Sequence, residues 1–269
     1  MSSINTRKSD IVWNYIGTIV SMASGFVLLP LLMHFLSSSE LGLWYVYVAL
    51  SNFAMLFEFG FNPTFARNIV YVISGAQHLS IEGCDIKSVQ EGIDWHLLNT
   101  VIKASKVIYA ILAVVVLALL STIGSLYISF VASGMGSFDI WVSWGLFCAS
   151  VFLNLYFLWS ITVLRGYGDI AGENKAVVIG GAAQLSVSAI LLLLGYGLVG
   201  AAIGYLANAI LLRLSAVVML RKHKEIEKGR HSDTMPVEAS SIREIFLTIF
   251  HVAWRDGLVQ LAYTPRPKP

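Results

Sequence analysis

Six apolar stretches, each long enough to cross a bilayer, constrain this chain more than anything else in it. A spanning helix needs about 20 apolar residues for a hydrocarbon core of about 30 Å. Residues 11–36, 43–62, 107–131, 140–164, 176–194 and 198–220 meet that length, and a seventh apolar segment opens near Ile245 and stops at Tyr263. The composition agrees: 57% of residues are hydrophobic and 13% charged, with mean hydropathy +0.73. Soluble domains carry about a quarter charged residues. The expectation is an all-α integral membrane protein with one six-helix bundle. The first run is too long, and lacks the small-residue cleavage site, for a signal peptide, so it reads as a retained helix. Pro30 is expected to kink it.

Charge placement orients the bundle. The eighteen Lys and Arg residues fall before helix 1, between helices 2 and 3 or on their ends, between 4 and 5, and at the end of helix 6 and after it. The connections SSSELG, ASGMGSFD and GYGLV contain none. Positive residues stay on the cytoplasmic side, so the N-terminus is expected inside and the three uncharged connections outside. Those connections are short, which makes helices 1–2, 3–4 and 5–6 antiparallel hairpins. Of the inward segments, residues 76–96 read as a solvated loop, within a cytoplasmic region taken as 76–100. Residues 88–106 repeat Val89, Ile93, Leu97 and Val101 at helical spacing, an amphipathic lead-in to helix 3. The domain reading is a bundle over 1–220, a polar cytoplasmic linker over 221–243, and the opening of a second bundle over 244–269.

Enzymatic chemistry is not expected. His78, Glu82, Cys84, Asp85 and His96 share the first loop without tight ligand spacing, so a solvated loop outweighs a metal site there. No phosphate-cradling glycine loop exists, and no cofactor is expected. Two cysteines, Cys84 and Cys148, suggest no disulfide framework. The basic stretch after helix 6 lies beside a span, where topology and anionic lipid explain it better than nucleic acid. Gly200 and Gly204, a small-xxx-small pair, read as close helix packing rather than a hinge.

Polar side chains inside the spans remain: Asn14, Glu58, Asn62, Asn154, Gln184, Asn208 and Arg213. They should face the bundle interior or a wet cavity. For the amides, interhelical hydrogen bonds suffice. The stretch MLFEFGFNPTFARNIV, residues 55–70, is the hardest to dismiss. With a helix beginning near Leu43, Glu58 lies about 22 Å in and Arg67 about 36 Å in, at the cytoplasmic headgroups. Nine residues apart, the two would sit on opposite faces of an unbroken helix, and Gly60 with Pro63 makes an unbroken helix doubtful. A direct ion pair between them is not expected, and Arg67 is equally well read as a snorkelling cation. Arg213 lies about 12 Å deeper than its helix end.

The stretch LGLWYVYVALSNFAMLFEFGFNPTFARNIVY, residues 41–71, resembles the second helix of Wzx-type O-antigen and polysaccharide flippases. These belong to the multidrug/oligosaccharidyl-lipid/polysaccharide exporter (MOP) superfamily. LRGYGD at 164–169 resembles the end of that family's fourth helix, and HVAWRDGLVQLAY at 251–263 the start of its seventh. The resemblance implies two six-helix bundles around a cavity and translocation of undecaprenyl-pyrophosphate-linked oligosaccharide across the bacterial cytoplasmic (inner) membrane. That serves O-antigen, lipopolysaccharide or other surface-polysaccharide export. It implies Arg67 as a phosphate contact and Glu58 as a cavity acid, with Asn62 beside them; Arg213 matches no family motif and rests on depth alone. Implied partners are the lipid-linked oligosaccharide, membrane lipid, and polysaccharide polymerase and chain-length proteins. The TPRPKP ending cannot continue a span. A shifted reading frame or early stop would produce it, and one bundle alone is expected not to transport. Two alternatives stand beside this reading: a drug–cation antiporter of the same superfamily, and a non-transporting membrane partner in polysaccharide assembly.

Overall fold

The computed structural model describes residues 8–58, 60–79, 92–133 and 138–263. The middle of the first inward loop, residues 80–91, and the TPRPKP ending, residues 264–269, lie outside the described residues. An all-α structure results. Helix α1 spans Lys8–Phe35 and α2 Ser38–Leu56. After a bend of 44°, α3 runs Phe61–Ile73. Next come α4 (Trp95–Leu119), one π-helical turn (Leu120–Gly124) and α5 (Ser125–Val131), which together make one span. Helices α6 (Phe138–Tyr156) and α7 (Leu158–Gly166) form the next, followed by α8 (Ile170–Leu193) and α9 (Gly197–Leu220). Two further helices, α10 (Lys224–Ser232) and α11 (Ala239–Tyr263), complete the described chain. Among the described residues, five helices are long and apolar enough to cross a membrane, six when α2 and α3 count as one broken span.

Helix α1 runs through Pro30. Of the amphipathic lead-in to helix 3, residues 95–106 belong to α4, which starts at Trp95 because Asp94 caps it by accepting a hydrogen bond from Leu97 N at 2.9 Å, and residues 88–91 lie outside the described residues. Helix α2 begins at Ser38, ahead of its apolar run, because Ser37 and Glu40 form a capping box there.

Helices α1, α8 and α9 pack as a sheet of closely approached rods. A Cβ on Gly204 would stand 1.9 Å from Ser188 Oγ and 3.0 Å from Gln184 O, and one on Gly200 2.9 Å from Leu191 Cβ. Both glycines therefore face α8, as the small-xxx-small reading expects. Asn208 Nδ2 donates to Gln184 Oε1 at 3.0 Å across the same interface. In lipid, where apolar surface gives no drive for helix association, such close backbone approach and amide bonding hold helices together.

The apolar core divides in two. One cluster, at the end of the bundle with the uncharged connections, gathers Leu32, Leu43, Phe147 and Leu155. Within it Trp44, Tyr47, Trp144, Phe147 and Tyr205 pack with ring centroids 4.9–6.4 Å apart. Tyr47 OH lies 3.1 Å from Ile140 O and Ser143 Oγ, Tyr205 OH lies 3.2 Å from Ser51 Oγ, and Trp144 Nε1 donates to Ser125 Oγ at 2.9 Å. The second cluster, at the charge-rich end, gathers Phe65, Ile69, Leu98, Ile102 and Leu164, with Ile245, Ile249 and Ala253 of α11. Helix α11 thus packs on α3 and α4 through a buried stripe.

The polar stretch 221–243 is folded rather than extended. Arg230 Nε donates to Asn99 Oδ1 at 3.0 Å, while Asn99 Nδ2 donates to Arg230 O at 2.9 Å and to Asp233 Oδ2 at 3.0 Å. Arg230 Nη1 also donates to Glu227 Oε1 at 2.6 Å. The Trp95 ring lies against Gly229, where a Cβ would meet it at 2.4 Å. His223 Nε2 lies 3.0 Å from Asp169 Oδ2, and the imidazole beside it holds the Asp169 carboxyl below the usual carboxylate range. Helix α10 is thereby clamped to the start of α4 and to the α7–α8 turn.

Two outcomes follow from this packing. Gly204→Ala should lower the unfolding midpoint in detergent, by an equivalent of about 1–3 kcal/mol for overpacking. Gly25→Ala, where a new Cβ meets nothing within 4 Å, should not lower it. Asn99→Ala removes the reciprocal partner of Arg230, a loss of about 1–3 kcal/mol. Hydrogen exchange should then speed up across residues 224–232 and leave α8 and α9 unchanged.

Candidate functional site

A polar seam separates the two cores. Along the chain the core clusters change over between Ala54 and Phe61, between Tyr109 and Ala113, between Leu155 and Leu158, and between Ala201 and Ala216. Glu58, Tyr109, Asn154 and Arg213 fall in or beside these intervals. One span also breaks here, since α2 ends before Glu58, and within another a single turn residue, Phe157, separates α6 from α7.

The break after α2 has a local cause. Gly60 adopts φ 76°, a left-handed conformation that suits glycine, and Pro63 occupies the first turn of α3, where its missing N–H is no loss. In hydrocarbon the freed backbone groups need partners. Glu58 Oε1 accepts from Asn62 N at 2.9 Å, and Thr64 Oγ1 donates to Gly60 O at 3.0 Å. A carboxylate at a helix N-terminus also meets the positive end of the helix dipole. Glu58 therefore caps α3, a structural duty beside any functional one.

From that cap a chain of hydrogen bonds crosses to other helices. Asn62 Oδ1 accepts from Thr162 Oγ1 at 3.0 Å, and Thr162 Oγ1 lies 3.4 Å from the phenol oxygen of fully buried Tyr109. Arg165 and Arg213 both lie within electrostatic reach of Glu58. Arg165 is bound through two nitrogens by Glu173 at the start of α8. Arg213 is only 7% exposed; its Nη2 donates to Asn154 Oδ1 at 3.2 Å. Its Nε has no hydrogen-bond partner among the described residues.

The structure thus brings together Glu58, Asn62 and Arg213 of the residues expected from sequence. Arg67 is exposed on α3, between buried Ala66 and Asn68. Sequence reasoning missed three seam residues. Tyr109 and Thr162 are ordinary occupants of apolar helices and carry no local signal. Arg165 read as a loop cation, although its place seven residues after Leu158 in an apolar run marked it as close to the bundle.

Glu58→Gln keeps an oxygen for Asn62 N and should leave thermal stability in detergent nearly unchanged. Glu58→Ala removes the cap and should cost about 1 kcal/mol. Equal midpoints for the two variants would remove the capping role.

No family model and no curated protein sequence matches the chain. Among solved structures it is similar to a multidrug resistance MATE family transporter of the MOP superfamily, in an outward-facing conformation. The sequences are 19% identical, the TM-score is 0.63, and the match covers 94% of this chain and 52% of that one. The chain spans about half the length of that transporter and shares its fold over that half.

Proposed function

We propose that this chain forms one half of a membrane transporter that moves an undecaprenyl-pyrophosphate-linked oligosaccharide from the inner to the outer leaflet, for surface-polysaccharide export. The observation that carries the reading is Arg213, buried in the seam with an unpartnered Nε. A guanidinium only donates, so whatever completes it must be an acceptor, and phosphate oxygens match its geometry best. A drug cation would be repelled by it.

In this mechanism Arg67, exposed on α3, meets the pyrophosphate first at headgroup level. Arg213 offers a deeper donor when the broken span flexes at Gly60. Glu58 opposes Arg213 in the resting seam and is released as phosphate replaces it. Half-helix ends at membrane depth recur at transporter binding sites, because they leave oriented backbone groups at the site. The second bundle of the cavity comes from outside the residues described here, so transport is proposed for the complete assembly.

A drug–cation antiporter is the second reading, favoured by the fold shared with a multidrug resistance MATE family transporter and by half-buried Glu58. The two diverge in cells whose surface polysaccharide depends on this chain. Flipping predicts that Arg213→Gln lowers export about tenfold to a hundredfold, the worth of one charged hydrogen bond, with the protein still inserted. Antiport predicts that Arg213→Gln leaves activity intact while Glu58→Gln abolishes drug efflux. A non-transporting partner would tolerate Arg67→Ala, Arg213→Gln and Glu58→Gln alike.

A further inference from the structure

We propose that the cleft between α4, α7, α9 and α10 binds the anionic headgroup of a phospholipid. The cleft encloses about 450 Å³ and is separate from the seam, since neither Glu58, Asn62 nor Arg213 lines it. The proposal therefore does not depend on the transport reading.

Its charge is unbalanced. Lys106, Arg221 and Arg230 line it with one carboxylate, Glu227. That carboxylate is already engaged by Arg230 Nη1 at 2.6 Å and lies 3.4 Å from Tyr167 OH. Lys106 stands within electrostatic reach of both Arg230 and Glu227, and its Nζ rests 4.2 Å from the centroid of the Trp159 ring. Three cations thus share one carboxylate, and a phosphate would balance the positive charge left over.

The walls say which phosphate. Trp159, Val217 and Leu220 supply an apolar side beneath the cations. Leu220 is the last residue of the α9 span and Arg221 follows at once. Trp159 lies seven residues before the end of α7, about 10 Å deeper. The cleft thus crosses from hydrocarbon depth to headgroup depth at the charge-rich end of the bundle. An inorganic ion has no use for the apolar wall, whereas a phospholipid fills both parts. Basic pockets between spans on the cytoplasmic side are suited to anionic headgroups. Bound there, a lipid would tie α10 to α4 and α9.

The test is native mass spectrometry of the full chain in detergent, titrated with phosphatidylglycerol or phosphatidylcholine. Phosphatidylglycerol should be retained and phosphatidylcholine not. Lys106→Gln and Arg221→Gln should each weaken retention about fivefold, from about 1 kcal/mol per cation. Lys106→Arg should retain it, and so should Lys175→Gln, whose ammonium lies 4.9 Å from the Trp13 ring outside the cleft. Equal retention of both lipids, or full retention by the Lys106→Gln/Arg221→Gln double variant, would overturn the proposal. Retention should survive excess inorganic phosphate; displacement by it would overturn the lipid assignment in favour of a free-phosphate site.

Discussion

Every backbone N–H and C=O at membrane depth needs a partner, and water is not there to provide one. That obligation shapes the middle of this bundle. Once Gly60 turns left-handed, α2 cannot run into α3, and groups on both sides of the break must find acceptors and donors nearby. Glu58 and Thr64 supply them locally. Having placed a carboxylate at that depth, the fold must then compensate it, and Arg213 and Arg165 lie within reach. Asn62, Thr162 and Tyr109 extend the same polar layer across three spans. The division of the core into two clusters is the other face of this fact. Apolar side chains pack above and below the layer, and the layer itself admits few of them.

The spans were legible because hydropathy averages over about 20 residues and tolerates error at any one. Breaks inside spans are harder. Gly60 and Pro63 announce the one between α2 and α3, but FLNLYFLWS around the turn residue Phe157 contains neither glycine nor proline and gives no such signal. Seam residues were legible where their polarity clashes with their surroundings, as for Glu58, Asn62, Asn154 and Arg213. Arg67, which depth put at the headgroups and apart from Glu58, is exposed on α3, and the cations within electrostatic reach of Glu58 are Arg165 and Arg213. Helix α10 had almost no signal, since KEIEKGRHS carries one large apolar residue. Its order comes from Asn99 and Trp95, more than a hundred positions away.

Two kinds of adhesion therefore hold the molecule. Helices α8 and α9 meet through glycines and an amide pair, which resist sliding because any shift drives a side chain into backbone. The layer around Glu58 is held by directional bonds between side chains on separate helices, which can exchange partners without repacking a core. A rigid plate beside a layer of replaceable polar contacts is a physical arrangement in which one part of a bundle can bend while another keeps its shape.

The clamp on α10 also changes how far α11 can stray. Were residues 221–239 a free tether, about eighteen peptide units would give it a reach of about 60 Å. With α10 pinned through Asp233, about six units remain before Ala239, a reach of about 20 Å. A helix on so short a leash meets its groove on α3 and α4 at a high effective concentration. Its docking is then nearly an intramolecular certainty, and a modest buried stripe of Ile245, Ile249 and Ala253 is enough to seat it.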